Sequence, residues 1–226
     1  MEPNEPASTD QALTYTVVEL GSRVASAYAG KLLAELGSRV VKVEPAAGDP
    51  LRHQGDIGLA QFAYLNGSKS SVALDLAAEA GRATLQRLIG EADLLIDGLA
   101  PGELSNLGVD LEQTRLLALL HVSDFGQSGP YVGFPSSALT VQAAGGWVID
   151  RGQANHIPVQ VGGDVHEYTA GVYGAGALLT EARAARLDGE RRDVDLSVSA
   201  TLLATIPFQE DSPGADPVYI DLATRP

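Results

Sequence analysis

Apolar and polar positions alternate along this chain in blocks whose period changes from strand to helix and back. Residues 15–20 form a short run rich in β-branched and aromatic side chains and predict a strand. From Ala25 the apolar residues fall at Tyr28, Ala29, Leu32, Leu33 and Leu36, the spacing of one helical face. Gly37 follows where a helix C-cap belongs, and residues 39–43 predict the next strand. A strand, a helix and a strand joined by short connections make a β-α-β unit, the building block of a parallel sheet. The pattern then repeats. Residues 71–76 are strand-like, and residues 75–90 are helical with Gly81, Leu85, Leu88 and Ile89 on one face. Residues 93–97 predict a buried strand, Pro101-Gly102 opens a short helix, and residues 116–122 predict a further strand. A glycine-rich loop follows, Phe125-Gly126-Gln127-Ser128-Gly129-Pro130. Helices are expected at about 137–148 and 167–185, a last strand at 192–197 and a last helix at 198–206. The prediction is one α/β domain over residues 14–210, an open, mostly parallel sheet with flanking helices. Irregular tails are expected at 1–13 and 211–226.

Length and composition fit this. A chain of 226 residues with 45% hydrophobic residues can bury one substantial core. No stretch approaches the roughly 20 apolar residues of a membrane span. The start, Met1-Glu2-Pro3-Asn4-Glu5-Pro6, lacks the basic and apolar parts of a secretory signal, so a cytoplasmic protein without membrane attachment is expected. There is no Cys, which excludes disulfides, a thiolate nucleophile and an iron–sulfur cluster.

Charge narrows the function. The formal net charge is −14, from 29 acidic and 15 basic residues, and nucleic-acid binding needs the opposite. An anionic substrate would require the basic residues to be gathered in one cleft. His53, His121, His156 and His166 have no H-x-x-x-H spacing, which argues against zinc; no metal is expected. The phosphate-binding motif G-x-x-x-x-G-K-[ST] is absent. Gly174-Ala175-Gly176 lacks the third glycine of a dinucleotide fingerprint and falls inside a helix. Gly126-Gln127-Ser128-Gly129 does not meet the spacing of a nucleophile elbow.

The candidate chemistry lies in Gly162-Gly163-Asp164-Val165-His166-Glu167-Tyr168-Thr169-Ala170-Gly171, just ahead of a helical run of small apolar residues. Glu167 falls at the first turn of that helix, where unpaired N–H groups and the dipole favour a carboxylate. Such a carboxylate serves as a cap or as a nucleophile, and the residues alone leave both open. Asp164 is either a turn residue or a second nucleophile candidate. His166, between them, is a surface or supporting residue or a proton relay.

Several segments in order resemble the class III coenzyme A transferases, the group containing formyl-CoA and carnitine-CoA transferases and α-methylacyl-CoA racemases. Leu32-Leu33-Ala34-Glu35-Leu36-Gly37 runs into Val40-Val41-Lys42-Val43-Glu44-Pro45 and Gly48-Asp49-Pro50-Leu51-Arg52. Asn66-Gly67-Ser68-Lys69-Ser70-Ser71, Ala92-Asp93-Leu94-Leu95-Ile96-Asp97 with Pro101-Gly102, and Ser123-Asp124-Phe125-Gly126-Gln127-Ser128-Gly129-Pro130-Tyr131 follow. The segment around Glu167 and Arg192-Asp193-Val194-Asp195-Leu196-Ser197 complete the series.

The resemblance implies a protein that binds acyl-CoA and passes CoA to a carboxylic acid through a carboxylate acyl-enzyme. Glu167 stands where the family has a nucleophilic Asp, and Asp164 and His166 are neighbouring candidates. Lys42, Arg52 and Lys69 are the basic residues left to hold CoA phosphates, and Gly126 and Gly129 form a flap over the thioester. The chain departs from the family pattern in three phosphate-handling places, at Asn66-Gly67-Ser68-Lys69, Ala100-Pro101-Gly102 and Ala25-Ser26-Ala27. Neutral side chains there do not replace charge-assisted bonds from Arg. Ser137-Ala138 occupies the place of the racemase His–Asp pair, which argues against racemisation. Family members run to roughly twice this length, so a homo-oligomer or a longer partner subunit is expected. A non-catalytic subunit that keeps the fold is the rival reading.

Overall fold

The structure is a computed structural model that describes residues 14–148 and 157–206. The predicted tails at 1–13 and 211–226 and His156 lie outside the described residues. Its elements, in chain order, are β1 (Thr16–Leu20), α1 (Val24–Glu35), β2 (Arg39–Pro45), α2 (Gly55–Asn66), β3 (Ser70–Leu74), α3 (Glu79–Gly90), β4 (Leu94–Asp97) and α4 (Glu103–Asn106). They continue with β5 (Ala118–Ser123), α5 (Ala138–Ala144), α6 (Val165–Asp188), β6 (Arg192–Ser197) and α7 (Val198–Ala204).

The six strands form one sheet in the order β3-β2-β1-β4-β5-β6, and every neighbouring pair is parallel. The chain therefore winds outward from β1 in one direction, then returns to lay β4 against β1's other edge. Open sheets of this kind bind ligands in the crevice beyond the carboxyl ends of the strands where the winding reverses. Here that crevice lies beyond Leu20 and Asp97, which are register partners.

Alternation along the strands feeds two cores. Val17, Val40, Leu94, Ile96, Leu120 and Val122 pack under α1, α5, α6 and α7. Val18, Leu20, Val43, Leu95 and Leu119 pack under α3 and α4. Trp147 belongs to the first core and is anchored by its indole N–H, which donates to the Leu202 carbonyl at 3.1 Å and to Thr205 Oγ1 at 2.9 Å.

Helix ends follow local chemistry. Gly37 takes φ +97° after α1, and its N–H and that of Ser38 bond back to the carbonyls of Ala34 and Leu33. Ser137 and Thr140 form a reciprocal cap at the start of α5.

Three sequence expectations are corrected. The helix expected from Asp75 begins at Glu79, because Asp75 Oδ1 accepts the Ala77 N–H and holds a turn there. The helix expected over 167–185 is longer at both ends. Helix α2 was not foreseen at all. Its Ile57, Leu59 and Tyr64 are exposed and only Gly58, Leu65 and Asn66 are buried, so no apolar stripe marks it.

Candidate active site

At the crevice the two central strands end in glycines that nearly touch. A Cβ on Gly21, at φ +85°, would stand 2.6 Å from the carbonyl of Gly98. One on Gly98 would collide with Ser26 Oγ. The absence of side chains brings the starts of α1 and the β4–α4 loop together. Beyond them opens a cavity of about 300 Å³, lined among others by Arg23, Gly98, Asp124, Phe125, Gly126 and Phe134.

Glu167 stands in the first turn of α6, as expected, and is tied to this cavity through Arg23, one of its lining residues. It does not cap its own helix. Its Oε2 accepts the backbone N–H of Ala25 at 3.0 Å, in the first turn of α1, and its Oε1 accepts from Arg23 Nη2 at 2.5 Å. The carboxylate thus faces two helix N-termini, its own and that of α1, and the dipoles of both favour its charge. Small residues make this approach possible. Gly171, one turn on from Glu167, packs so closely that a Cβ would sit 2.8 Å from the Ala25 carbonyl.

Arg23 also binds Asp124 through the same Nη2, and Asp124 accepts in addition from Ser136 Oγ. Burial opposes the Arg23 charge, but Glu167 and Asp124 outweigh it and hold its pKa above the ordinary arginine value. Burial likewise opposes the Asp124 charge, and the Arg23 guanidinium, with Ser136, overcomes it and keeps that carboxyl below its usual range. Two carboxylates and one guanidinium leave this cluster with a net charge of −1.

The other sequence candidates divide. Asp164 is the residue before α6 but makes no cap; it accepts from Gln61 Nε2 at 2.6 Å and ties α2 to α6. His166 is buried, and its Nδ1 has no hydrogen-bond partner. Gly126 lines the cavity, with φ +92°, and its N–H donates to Ser123 Oγ at 2.9 Å. Gly129 turns the same loop at φ +105°, with no atom within 4 Å of where a Cβ would point.

Lys42 and Lys69 are not presented to a ligand. Both side chains are 1% exposed and converge on Glu19, itself fully buried, at 3.0 and 2.7 Å. Lys42 also pairs with Asp49 Oδ2 at 3.2 Å, and Lys69 donates to the Ala27 carbonyl and to Asn66 Oδ1. The four groups form a neutral buried quartet that joins β1, β2 and the loops around them. Burial pushes the Lys69 ammonium below its ordinary pKa. For Lys42 burial acts the same way, but Glu19 and Asp49 outweigh it and raise the value. Arg52 alone keeps an exposed flank. It forks onto Glu44 at 2.8 and 2.9 Å and lies 3.8 Å above the Phe62 ring.

Arg23 and Asp124 are the residues that sequence reasoning missed. Asp124 directly follows β5, and Arg23 lies in the short turn between β1 and α1; a place just beyond the carboxyl end of a strand is the signal that would have found both. Among the described residues no group of three His, Cys, Asp or Glu is placed to hold a metal, and no helix is long and apolar enough to cross a membrane.

Comparisons with known proteins agree with this geometry. Among solved structures, a CAIB/BAIF family protein from Brucella suis superposes with a TM-score of 0.78 at 26% identity, over 85% of this chain and 55% of that one. The succinate–glutarate CoA-transferase of Agrobacterium fabrum is 30% identical over 197 residues, 80% of this chain and 49% of that protein. The succinyl-CoA–D-citramalate CoA-transferase of Chloroflexus aurantiacus is 30% identical over 200 residues, 83% of this chain and 49% of that protein. The chain spans about half the length of these relatives. The family model for CoA-transferase family III matches residues 14–211, which takes in the whole sheet, the crevice and Glu167, and the chain belongs to that family.

Proposed function

We propose that this chain binds an acyl-CoA thioester and takes part in moving CoA to a carboxylic acid, with Glu167 as the nucleophile. The observation that carries this is the Glu167 carboxylate, held by the α1 N-terminus and by Arg23, which itself lines a cavity over the sheet's reversal point. A Glu167 oxygen adds to the thioester carbonyl, the C–S bond breaks, and CoA leaves as a thiolate with the bonding electrons. The product is a mixed anhydride on Glu167. The thiolate then attacks the glutamyl carbonyl of that anhydride, which frees the donor acid as a carboxylate and leaves Glu167 as a CoA thioester. The acceptor carboxylate attacks that thioester, and CoA is returned to the acceptor through a second anhydride. The overall exchange replaces one thioester by another and is close to isoenergetic; the anhydrides are the high-energy intermediates that the site has to stabilise. The N–H groups at the start of α1 supply dipoles toward charge that develops at the reacting carbonyl.

The test is trapping. Incubation with an acyl-CoA and hydroxylamine should leave a hydroxamate on Glu167, located by peptide mass spectrometry. Glu167→Gln should abolish both trapping and transfer, whereas Asp164→Asn should retain part of each. Normal turnover by Glu167→Gln would sink the assignment.

The rival reading is a partner subunit that keeps the fold without catalysis. Its support is the burial of Lys42 and Lys69 against Glu19, which removes two of the three basic residues expected at the CoA phosphates. Relatives named as subunits exist, such as the succinyl-CoA–L-malate CoA-transferase alpha subunit of Chloroflexus aurantiacus. A thermal melt with CoA separates the readings, since a ligand of the folded state stabilises it by RT ln(1 + [L]/Kd). A catalytic chain shifts its Tm with millimolar CoA and acylates; a bare scaffold does neither.

A further inference from the structure

Arg23 is at the wall of the cavity, yet the reading above gives it no chemical step. Its guanidinium has five N–H donors. The two on Nη2 are spent on Asp124 and Glu167, while Nε is buried with no partner. Its side chain keeps 24% of its surface exposed.

The charge of this cluster changes along the proposed reaction. With Glu167 free, Arg23 faces two carboxylates. When Glu167 carries an acyl group or CoA, its carbonyl carbon is bonded to a leaving group and its charge is gone. Arg23 then faces Asp124 alone, and the cluster is neutral. At those same stages the donor acid leaves as a carboxylate and the acceptor enters as one. A guanidinium released by one carboxylate is matched in shape and charge to receive another.

We propose that Arg23 is the carboxylate receptor of this site, paired with Glu167 in the resting protein and passed to the carboxylate of the substrate acid when Glu167 is neutralised. The exchange returns the cluster to one guanidinium against two carboxylates, the same net charge of −1 that it carries at rest. It also makes acid binding conditional: while Glu167 is ionised, its carboxylate occupies Arg23 and repels the acid. The acid is admitted only while Glu167 is held as an acyl derivative. The chemical class recognised is a small carboxylate with its charge within reach of the cavity, and Phe125 and Phe134 bound the space for its remainder.

This deepens the acyl-enzyme reading and rests on it, but the test needs no acyl-CoA. Sodium acetate and sodium succinate are titrated calorimetrically into the full chain at pH 7 and fixed ionic strength, with sodium phosphate as a comparison anion. Glu167→Gln mimics the neutral, acylated residue and should bind the acids at least tenfold more tightly than the parent. Glu167→Ala removes the same carboxylate, should give the same direction of change, and serves if Glu167→Gln does not fold. Adding Arg23→Gln to either variant should return binding to the parent level. The proposal is overturned if neither variant gains affinity, if the gain survives Arg23→Gln, or if phosphate binds as tightly as the acids. Tighter acid binding without hydroxylamine trapping would leave Arg23 as receptor and remove the acyl-enzyme reading; trapping without tighter binding would do the reverse.

Discussion

The Glu167 carboxylate, in the first turn of α6, accepts the backbone N–H of Ala25 in the first turn of α1 at 3.0 Å. One side chain therefore caps a helix other than its own, and the carboxylate's position is fixed by how closely α1 and α6 pack. That closeness depends on Gly171, whose missing Cβ leaves room for the Ala25 carbonyl and for Tyr28.

Gly171→Ala tests this coupling. The added methyl would sit 2.8 Å from the Ala25 carbonyl and 3.0 Å from Tyr28 Cβ, so the helices must part. Overpacking of this kind costs about 1–3 kcal/mol. The separation also draws Ala25 N–H away from Glu167, and CoA transfer should fall at least ~10-fold beyond any loss of folded protein. Unchanged transfer in the folded fraction would show that the Ala25 contact does not position Glu167.

Glu167→Asp puts in the shorter acid that the family resemblance implies at this place. Here the longer arm reaches both Ala25 and Arg23. Shortening it by one methylene withdraws the carboxylate by roughly 1.5 Å, and a displacement of about 1 Å can cost 100-fold in rate. Steady-state kinetics should show a lower kcat with little change in the KM for acyl-CoA. A faster variant would mean that the glutamate is a poor substitute rather than one fitted to this site.

Lys42→Met should destabilise the fold. It leaves Glu19 and Asp49 buried with Lys69 as the remaining cation, and breaking a buried pair from one side costs about 3–5 kcal/mol. A fall in Tm of roughly 10 °C is expected for a domain of this size. CoA binding by the folded fraction should be unaltered, because the ammonium does not reach the surface.

Glu44 governs part of the acid limit. The forked bond from Arg52, against the opposing effect of burial, lowers its pKa from 4.5 to about 2. A lowered folded-state pKa contributes stability that is present above the unfolded value and lost as pH falls through the folded one. The window is therefore about pH 4.5 down to 2. The parent's Tm should drop across it by about 5 °C more than that of Glu44→Gln. Parallel curves for the two proteins would remove Glu44 from the acid transition.

His121 acts in the opposite sense. It bonds Asp97 at 2.8 Å, its register partner on the neighbouring strand, and Asp193 and Asp195 lie on the strand at its other side. Burial opposes its charge, but these acids outweigh it and raise the pKa above 6.5. A raised folded-state pKa contributes stability that is complete below the unfolded value and is lost as pH rises through the folded one. His121→Gln should thus be less stable than the parent below about pH 6.5, with the difference closing in the alkaline range. Asp97 also holds the Leu99 N–H at the cavity wall, so ¹H–¹⁵N spectra should show residues 98–100 shifting with the same titration.

How far the sequence reached can be judged from particular elements. Periodicity located β1, α1, β2, β4 and β6 because each has a local pattern of buried positions that its own residues display. It failed at α2, whose Ile57, Leu59 and Tyr64 are exposed, and at the start of α3, where a single Asp75 side-chain bond overrides the apparent helix. Glu167 was legible as a first-turn carboxylate, but its use was not. The sequence offered a cap for α6; the structure makes it a cap for α1.

The chain by itself determined the alternation of strand and helix, the glycines that turn after the strands, and the presence of a carboxylate at a helix start, since these depend on neighbours a few residues away. Only the tertiary structure decided which charges meet. Lys42 and Lys69 look like ligand-binding residues until β1 is laid beside β2 and Glu19 claims both; Arg23 looks like an ordinary helix-start residue until α6 and the end of β5 bring it two carboxylates. The physical reason is that the worth of a charge is set by its desolvation and by its partners across space, and those partners here lie from 23 to 144 residues away in sequence.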